Sequence, residues 1–334
     1  MFILSSYPVA VVFCIITMLC WGSWANTQKL ATRSWPFQLY YWDYALGTLI
    51  ISFLIAITMG SYGDYGRPFF HDLAQASLHA LASAFIGGII FNLANILLVA
   101  AIDIAGMAIA FPLAIGLALV LGVMINYVET PLGNAFLIFS GVTLVALAIV
   151  CTAMAYKKIS TAKSTHVSKG IVIAIISGVL MGFFYRFVAS SITADVYTPQ
   201  KGLMTAYSAS FIFATGIFIS NFVINGLMMK FPISGNRLAF RDYFKQGTPW
   251  LHFIGILGGV IWGIGSTLNF IASNIAGAAI SYGLGQGATL IAAIWGVFVW
   301  KEFGKAPKGT NKLLVLMFML YIAGLTLIIV SKLV

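Results

Sequence analysis

Charge is scarce in this sequence. Of 334 residues, 8% are charged and 61% hydrophobic, and the mean hydropathy is +1.00. A soluble domain usually carries roughly 25% charged residues, so an ordinary water-facing surface is excluded. Cysteine is scarce as well. Cys14, Cys20 and Cys151 all lie in apolar runs, with no CxxC and no paired loop cysteines. They read as small packing residues, not as disulfides or metal ligands. The four histidines are isolated from one another, and HExxH, GxSxG and metal-spaced His/Cys clusters are missing. No cofactor is expected. The glycines Gly283, Gly285 and Gly287 lack both a Walker pattern and a preceding strand. They point to close helix packing or a bend near a site. The first apolar run has no basic leader before it and no clear small-residue cleavage site, so it reads as a retained helix.

What is present is a series of apolar runs of about 20 residues, the length of helix that crosses ~30 Å of hydrocarbon. They do not alternate as barrel strands would. The fold expected is an all-α membrane protein of ten transmembrane helices, at 8–28, 38–59, 77–101, 107–128, 134–155, 170–190, 203–229, 249–273, 277–300 and 312–333. Pro36, Pro68, Pro131, Pro199, Pro232, Pro249 and Pro307 fall at or between helix ends, where a missing N–H costs little. Trp35, Tyr62, Trp250 and Trp300 stand near ends, as interfacial anchors do.

The chain resembles itself. The stretch IGGIIFNLANILLVAAIDIAGMAIAFPLAIGLALVLGV, from Ile86, aligns without a gap with LGGVIWGIGSTLNFIASNIAGAAISYGLGQGATLIAAI, from Leu257. Gly88 pairs with Gly259, Leu97 with Leu268 and Gly106 with Gly277, and both stretches share the IAG break. A duplication gives an N-terminal five-helix repeat (1–155), a polar linker (156–169) and a C-terminal repeat (170–334). An odd number of spans per half inverts the second half, an architecture suited to alternating access. Lys29, Arg33, Lys157, Lys158, Lys163, Lys169, Lys230, Arg237, Arg241, Lys245, Lys301, Lys305, Lys308 and Lys312 fall on one side, against Arg67, Lys201 and Lys332 on the other. The bias puts the first set in the cytoplasm and both termini outside, in a multi-pass cell-membrane protein. The +10 formal charge then orients the chain and implies no nucleic acid.

Charges inside a bilayer cost about 2.5–3.5 kcal/mol on insertion scales, so each is a functional candidate. Asp43, early in the second helix, is either a protonatable group at a central cavity or an interfacial carboxylate at a helix N-terminus. Arg186, in the sixth, either binds a polar solute or pairs with Asp43, or snorkels to the outer end. Asp103 and its counterpart Asn274 read as helix caps at the IAG breaks. The uncharged polar set is richer: Trp21, Trp24 and Asn26 in the first helix, Tyr44 in the second, Asn92 and Asn95 in the third, Trp262, Ser266 and Asn269 in the eighth, Tyr282 and Gln286 in the ninth. Amides, hydroxyls and rings of this kind suit a cavity for a neutral hydrogen-bonding solute. Each alone serves equally well as interhelical glue. The cavity is expected among helices 1, 2, 3, 6, 8 and 9.

Three stretches carry a family resemblance. They are WGSWANTQKLATRSWPFQLYYWDYALG, GGIIFNLANILLVAAIDIAGMAIAFPLAIGLALVLGVMINYVE and GGVIWGIGSTLNFIASNIAGAAISYGLGQGATLIAAIWGVFVWKE. The whole resembles the drug/metabolite transporter superfamily, and within it the ureide permeases and the bacterial glucose/ribose/rhamnose-type sugar permeases. The resemblance implies secondary transport of small polar metabolites, often proton-coupled. Asp43 and Tyr44 match the aspartate–tyrosine pair of the ureide permeases' second helix. Gly87, Gly88 and Asn95 resemble their third helix, and their ninth-helix glutamine falls near Gln286. The chain departs from plant members in the linker, where 156–169 lacks their longer loop with its ATP-site-like sequence.

The expected function is proton-linked or facilitative import of a small neutral metabolite such as a sugar or ureide, with Asp43 carrying the proton. Its partners are that solute, protons and the lipid bilayer, with a homodimer left open. The rivals are an exporter of drugs or metabolites, and, from another class, a non-transporting receptor or a membrane-embedded enzyme.

Overall fold

The structure is a computed structural model that describes residues 1–31, 35–159, 167–233 and 235–334. Arg33, Lys163 and half of the polar linker (160–166) lie outside the described residues. Thirteen α-helices run through the rest: α1 (Tyr7–Ala31), α2 (Phe37–Ile57), α3 (Phe69–Gln75), α4 (Leu78–Ala105), α5 (Met107–Glu129), α6 (Ala135–Ile159), α7 (Val167–Ala189), α8 (Ala206–Lys230), α9 (Phe240–Gln246), α10 (Pro249–Ala276), α11 (Ala278–Gly285), α12 (Ala288–Ile294) and α13 (Thr310–Val330). A π-helical turn, Trp295–Val299, continues α12. No strand occurs among the described residues.

Ten segments are long and apolar enough to cross a membrane. They are α1, α2, α4, α5, α6, α7, α8, α10, the broken α11–α12 and α13, in register with the ten expected spans. Their outward faces stay apolar, as at Val12, Phe222 and Ile322, because lipid offers no partner to a polar group. This is a multi-pass membrane protein. Local chemistry sets the helix starts. Ser77 Oγ accepts from Ala80 N at 3.2 Å, and Thr248 Oγ1 accepts from Leu251 N at 3.3 Å with Pro249 as first helical residue. Pro36 and Pro68 hold α2 and α3 to their starts.

Three features depart from the sequence reading. The short helices α3 and α9 lie outside the ten spans. The IAG breaks carry no side-chain cap: Gly106 and Gly277 are themselves the N-cap residues, at φ/ψ of 82/155° and 87/150°. Positive φ of this kind is open to glycine. Asn274 instead donates to the Thr193 carbonyl at 2.7 Å. The ninth span is also not one helix, since it breaks at Gln286–Gly287.

Packing is closest where glycines let backbones touch. α4 lies between α7 and α8, and α10 lies between α1 and α2. A Cβ at Gly88 would stand 2.1 Å from the Phe213 carbonyl oxygen of α8, and one at Gly259 2.0 Å from the Tyr44 carbonyl oxygen of α2. The chain termini share one end of the bundle: Tyr7 Oη donates to the Ile329 carbonyl at 2.6 Å, and Lys332 Nζ lies 5.4 Å from the centre of the Tyr7 ring. At this terminal end α3 is stapled to the 199–205 loop. Arg67 Nε meets Asp72 Oδ1 at 2.7 Å, and Asp72 Oδ2 accepts from Thr205 N at 2.8 Å. The opposite end carries α9 and is called the basic end here, after Lys29, Arg241, Lys245, Lys301 and Lys305.

Candidate functional site

A cavity of about 150 Å³ lies between α1, α4, α5, α7, α10 and the broken ninth span. By the same measure one water needs roughly 10–15 Å³, so the space admits a small metabolite. Its lining extends from Phe184 and Gln286 near mid-span to Leu98, Phe111 and Ala292 nearer the basic end. Towards the terminal end the bundle is braced shut. Tyr282 Oη reaches the carbonyls of Ala118 and Met181 at 3.2 and 3.1 Å. Asn269 Nδ2 donates to the Ser281 carbonyl at 2.9 Å. These bonds hold α11 against α5, α7 and α10, whereas α12 leans on α1.

Aromatic rings form one wall. Trp262 stacks on Phe91 with centroids 4.4 Å apart and on Trp21 at 6.0 Å. Trp21 Nε1 donates to Ser266 Oγ at 3.0 Å, and that hydroxyl donates to the Trp262 carbonyl at 3.0 Å. The Trp21 ring is thereby fixed before any solute arrives, and Trp262 is held by its stacking on Phe91 and Trp21. Trp24 completes the wall, 4.9 Å from Tyr44. The polar lining comes from Asn95, Gln286 and Thr289, all buried. Asn95 Nδ2 donates to Tyr41 Oη at 3.2 Å. Gln286 sits at the break of the ninth span, where Thr289 Oγ1 donates to its carbonyl at 2.9 Å. Broken helices at mid-membrane are a recurrent way to present polar groups to a solute. No charged side chain is among the described residues lining the cavity.

Of the residues singled out in the sequence, Trp21, Trp24, Asn95, Trp262 and Gln286 line the cavity. Ser266, Asn269, Tyr282 and Tyr44 stand behind them. Tyr44 is fully buried against Trp24, Tyr41 and Trp262, and its hydroxyl has no partner among the described residues. Its helix, α2, contributes nothing to the lining. The fourth span takes its place with Phe111 and Ile115, because the Trp24 and Trp262 rings screen α2.

Three candidates are elsewhere. Asn92 Nδ2 donates to Ser220 Oγ at 2.8 Å and clamps α4 to α8. Asn26 Oδ1 accepts from Trp300 Nε1 at 2.6 Å near the basic end. Beside it Lys29 Nζ meets Glu302 Oε1 at 2.5 Å, and Tyr156 Oη donates to Glu302 Oε2 at 2.7 Å. Arg186 neither faces the cavity nor pairs with Asp43. Its Nε meets Glu129 Oε2 at 2.8 Å, both side chains about half exposed, at the terminal ends of α7 and α5.

Asp43 is buried, 1% exposed, but near the basic end and outside the cavity lining. Tyr243 Oη of α9 donates to its Oδ1 at 2.5 Å, and His252 Nδ1 of α10 meets its Oδ2 at 2.8 Å. A Cβ at Gly255 would stand 2.5 Å from Asp43 Cβ, so glycine there lets the carboxylate in. Sequence reasoning missed both partners. No local spacing links positions 43, 243 and 252. It also missed Phe91, Met181 and Phe184, which are apolar residues in apolar spans with nothing to separate them from lipid-facing ones.

A family model for ureide permeases matches residues 40–169 and 154–331. Ureide permease 1 of Arabidopsis thaliana is 22% identical over 391 aligned positions, covering 99% of this chain and 99% of the relative. Ureide permease 2 of the same plant is 21% identical over 400, again covering 99% of each. Transmembrane protein 144 homolog B of Dictyostelium discoideum is 25% identical over 170 positions, covering 48% of this chain and 40% of that one. A protein of known crystal structure superposes with a TM-score of 0.63 at 14% identity, covering 96% of both chains, a likeness of fold alone. Ten apolar spans around a neutral aromatic–amide cavity, matched by that family model along most of the sequence, make this chain a member of the ureide permease family.

Proposed function

We propose that this protein carries a small, uncharged, hydrogen-bonding metabolite, a ureide or a sugar, across the cell membrane by alternating access. The observation that supports this most is the cavity itself: indole walls for a flat or ring-shaped solute, two amides to bond it, and no lining charge among the described residues. An anion would find no counter-charge there among the described residues. The names of the relatives favour a ureide over a sugar.

The moving parts on this reading are two inverted halves, 1–155 and 170–334, joined by 156–169. Matching glycine breaks at Gly106 and Gly277 and matching close contacts at Gly88 and Gly259 support it. The basic end faces the cytoplasm and the termini face outward. The cavity extends towards the basic end and is braced at the terminal end, which fits an inward-facing state. Asp43 is the site of proton coupling, acting away from the solute.

The test is uptake by purified protein in liposomes of a panel of monosaccharides, allantoin and nucleobases, with and without an inward proton gradient. Saturable, gradient-stimulated accumulation of one compound is expected. Counterflow without accumulation would remove the coupling, and the absence of any flux would remove the transporter reading.

A further inference from the structure

The burial of Asp43 poses a question that the cavity does not answer. Its carboxylate is 1% exposed, so a proton cannot reach it directly from water. His252 is the group that can bring one. Its side chain is 27% exposed, and its Nδ1 lies 2.8 Å from Asp43 Oδ2. The other ring nitrogen, Nε2, faces Gly247, where a Cβ would stand 2.3 Å away. The lack of a side chain at Gly247 lets that edge of the ring pack there, and the partly exposed ring is the route to water.

Tyr243 is held by the other carboxylate oxygen and belongs to α9, the short helix outside the spans. Trp35 and Tyr243 pack on the His252 ring with centroids 5.0 and 4.6 Å away. Burial, then the hydrogen bond to Asp43 and its charge, push the Tyr243 hydroxyl well above its usual range, so it remains the donor to Asp43.

Among the described residues, the other charged groups nearby are otherwise engaged or turned away. On α2, Tyr40 shares a hydrogen bond with Thr27 of α1. On α1, Lys29 is paired with Glu302. On α8, Lys230 is exposed, 5.5 Å from the centre of the Phe231 ring. On α9, Arg241 and Lys245 are exposed, and Asp242 accepts from Ala239 N at 2.7 Å.

We infer that His252 relays protons between water at the basic end and Asp43, and that protonating Asp43 loosens α9. This inference rests on Asp43 being the coupling group of the proposed transport. The step balances. A proton from water binds Nε2, and the Nδ1 proton passes to Asp43 Oδ2. The histidine ends neutral with its tautomer switched, and Asp43 ends as a neutral acid donating back to Nδ1. Tyr243 then donates to a neutral carboxyl instead of a carboxylate, and such a bond is roughly half as strong. α9 is anchored through that bond and through ring contacts, so its docking weakens as Asp43 gains the proton. The relay thus makes His252 a proton-transfer residue for Asp43, and α9 the element that registers the result.

The experiment is hydrogen–deuterium exchange of the Phe240–Gln246 segment in the purified full-length protein. Measurements are made at about pH 7.5 and about pH 5.5, with intrinsic exchange corrected for. Protection should fall by about tenfold at the lower pH in the wild type. His252→Asn keeps a donor near the Nδ1 position but cannot relay, so in pulse labelling after a pH jump its protection should fall more slowly than that of the wild type. Asp43→Asn mimics the neutral acid and should be weakly protected at both values. A wild type with pH-independent protection would overturn the inference, and so would His252→Asn responding as fast as the wild type. Solute counterflow at equal pH on the same preparation keeps the two claims apart. Its absence counts against transport, while the exchange result stands by itself.

Discussion

Phe91 and Trp262 stack face to face, 4.4 Å between centroids, and occupy the same position in the gapless alignment of 86–123 with 257–294. Two residues at matching places in the aligned stretches thus meet on the cavity wall, which fits the proposed two-repeat arrangement. The neighbouring pair Ile115 and Gln286 is also equivalent, and both line the cavity. One half contributes an apolar side chain and the other an amide. Trp262→Ala is expected to cost about 3–5 kcal/mol of stability and to abolish solute binding. Trp262→Phe, which keeps a ring against Phe91, should retain most of both. Thermal unfolding in detergent and equilibrium binding would check the pair of variants.

The glycine contacts make a sharper comparison. Gly88→Ala and Gly259→Ala each place a methyl about 2 Å from a carbonyl oxygen, and overpacking of this kind typically costs about 1–3 kcal/mol. Gly226 sits in a helix with nothing within 4 Å of an added Cβ. Gly226→Ala should therefore be neutral or stabilising, by up to about 1 kcal/mol. The three melting temperatures, measured side by side, decide the matter.

Much of this architecture could be read from residue types. Runs of apolar residues marked all ten spans, whereas Gly88 and Gly259 stood out only as a matched pair in the repeat and not as tight crossings. The cavity was legible only where polarity stood out against an apolar background, as at Asn95 and Gln286. Phe91 and Phe184 could not be picked out, since a ring facing a cavity and a ring facing lipid look alike in sequence. The same ambiguity ran the other way for Asn92 and Asn269, which spend their amides holding helices together. Asp43 was visible as a charge in a span. Its partners were not, because Tyr243 and His252 come from the other half of the chain and only folding brings them to α2.

Ser266 tests whether ring orientation matters. Ser266→Ala removes the acceptor for Trp21 Nε1 at a cost of about 1 kcal/mol. The expected outcome is a roughly fivefold rise in KM with little change in maximal rate, because the wall loses its preset geometry. Initial uptake rates over a concentration series would show it.

Arg186 gives the opposite expectation. Its partner is Glu129, both are about half exposed, and neither is near the lining. Half-exposed ion pairs contribute about 0–1 kcal/mol. Arg186→Gln should leave KM within about twofold of wild type and lower the melting temperature slightly. A large loss of binding would mean that this arginine reaches the solute in another state of the cycle.

The most direct test of the account is counterflow of radiolabelled allantoin into proteoliposomes loaded with unlabelled solute, wild type beside Gln286→Leu. The wild type should show a saturable overshoot. Gln286→Leu should keep the fold but need at least about fivefold more solute, since a buried hydrogen bond to an uncharged partner and its unpaired remainder are worth about 1–3 kcal/mol. Wild-type counterflow left unchanged by Gln286→Leu would contradict the assignment of this cavity as the solute's path.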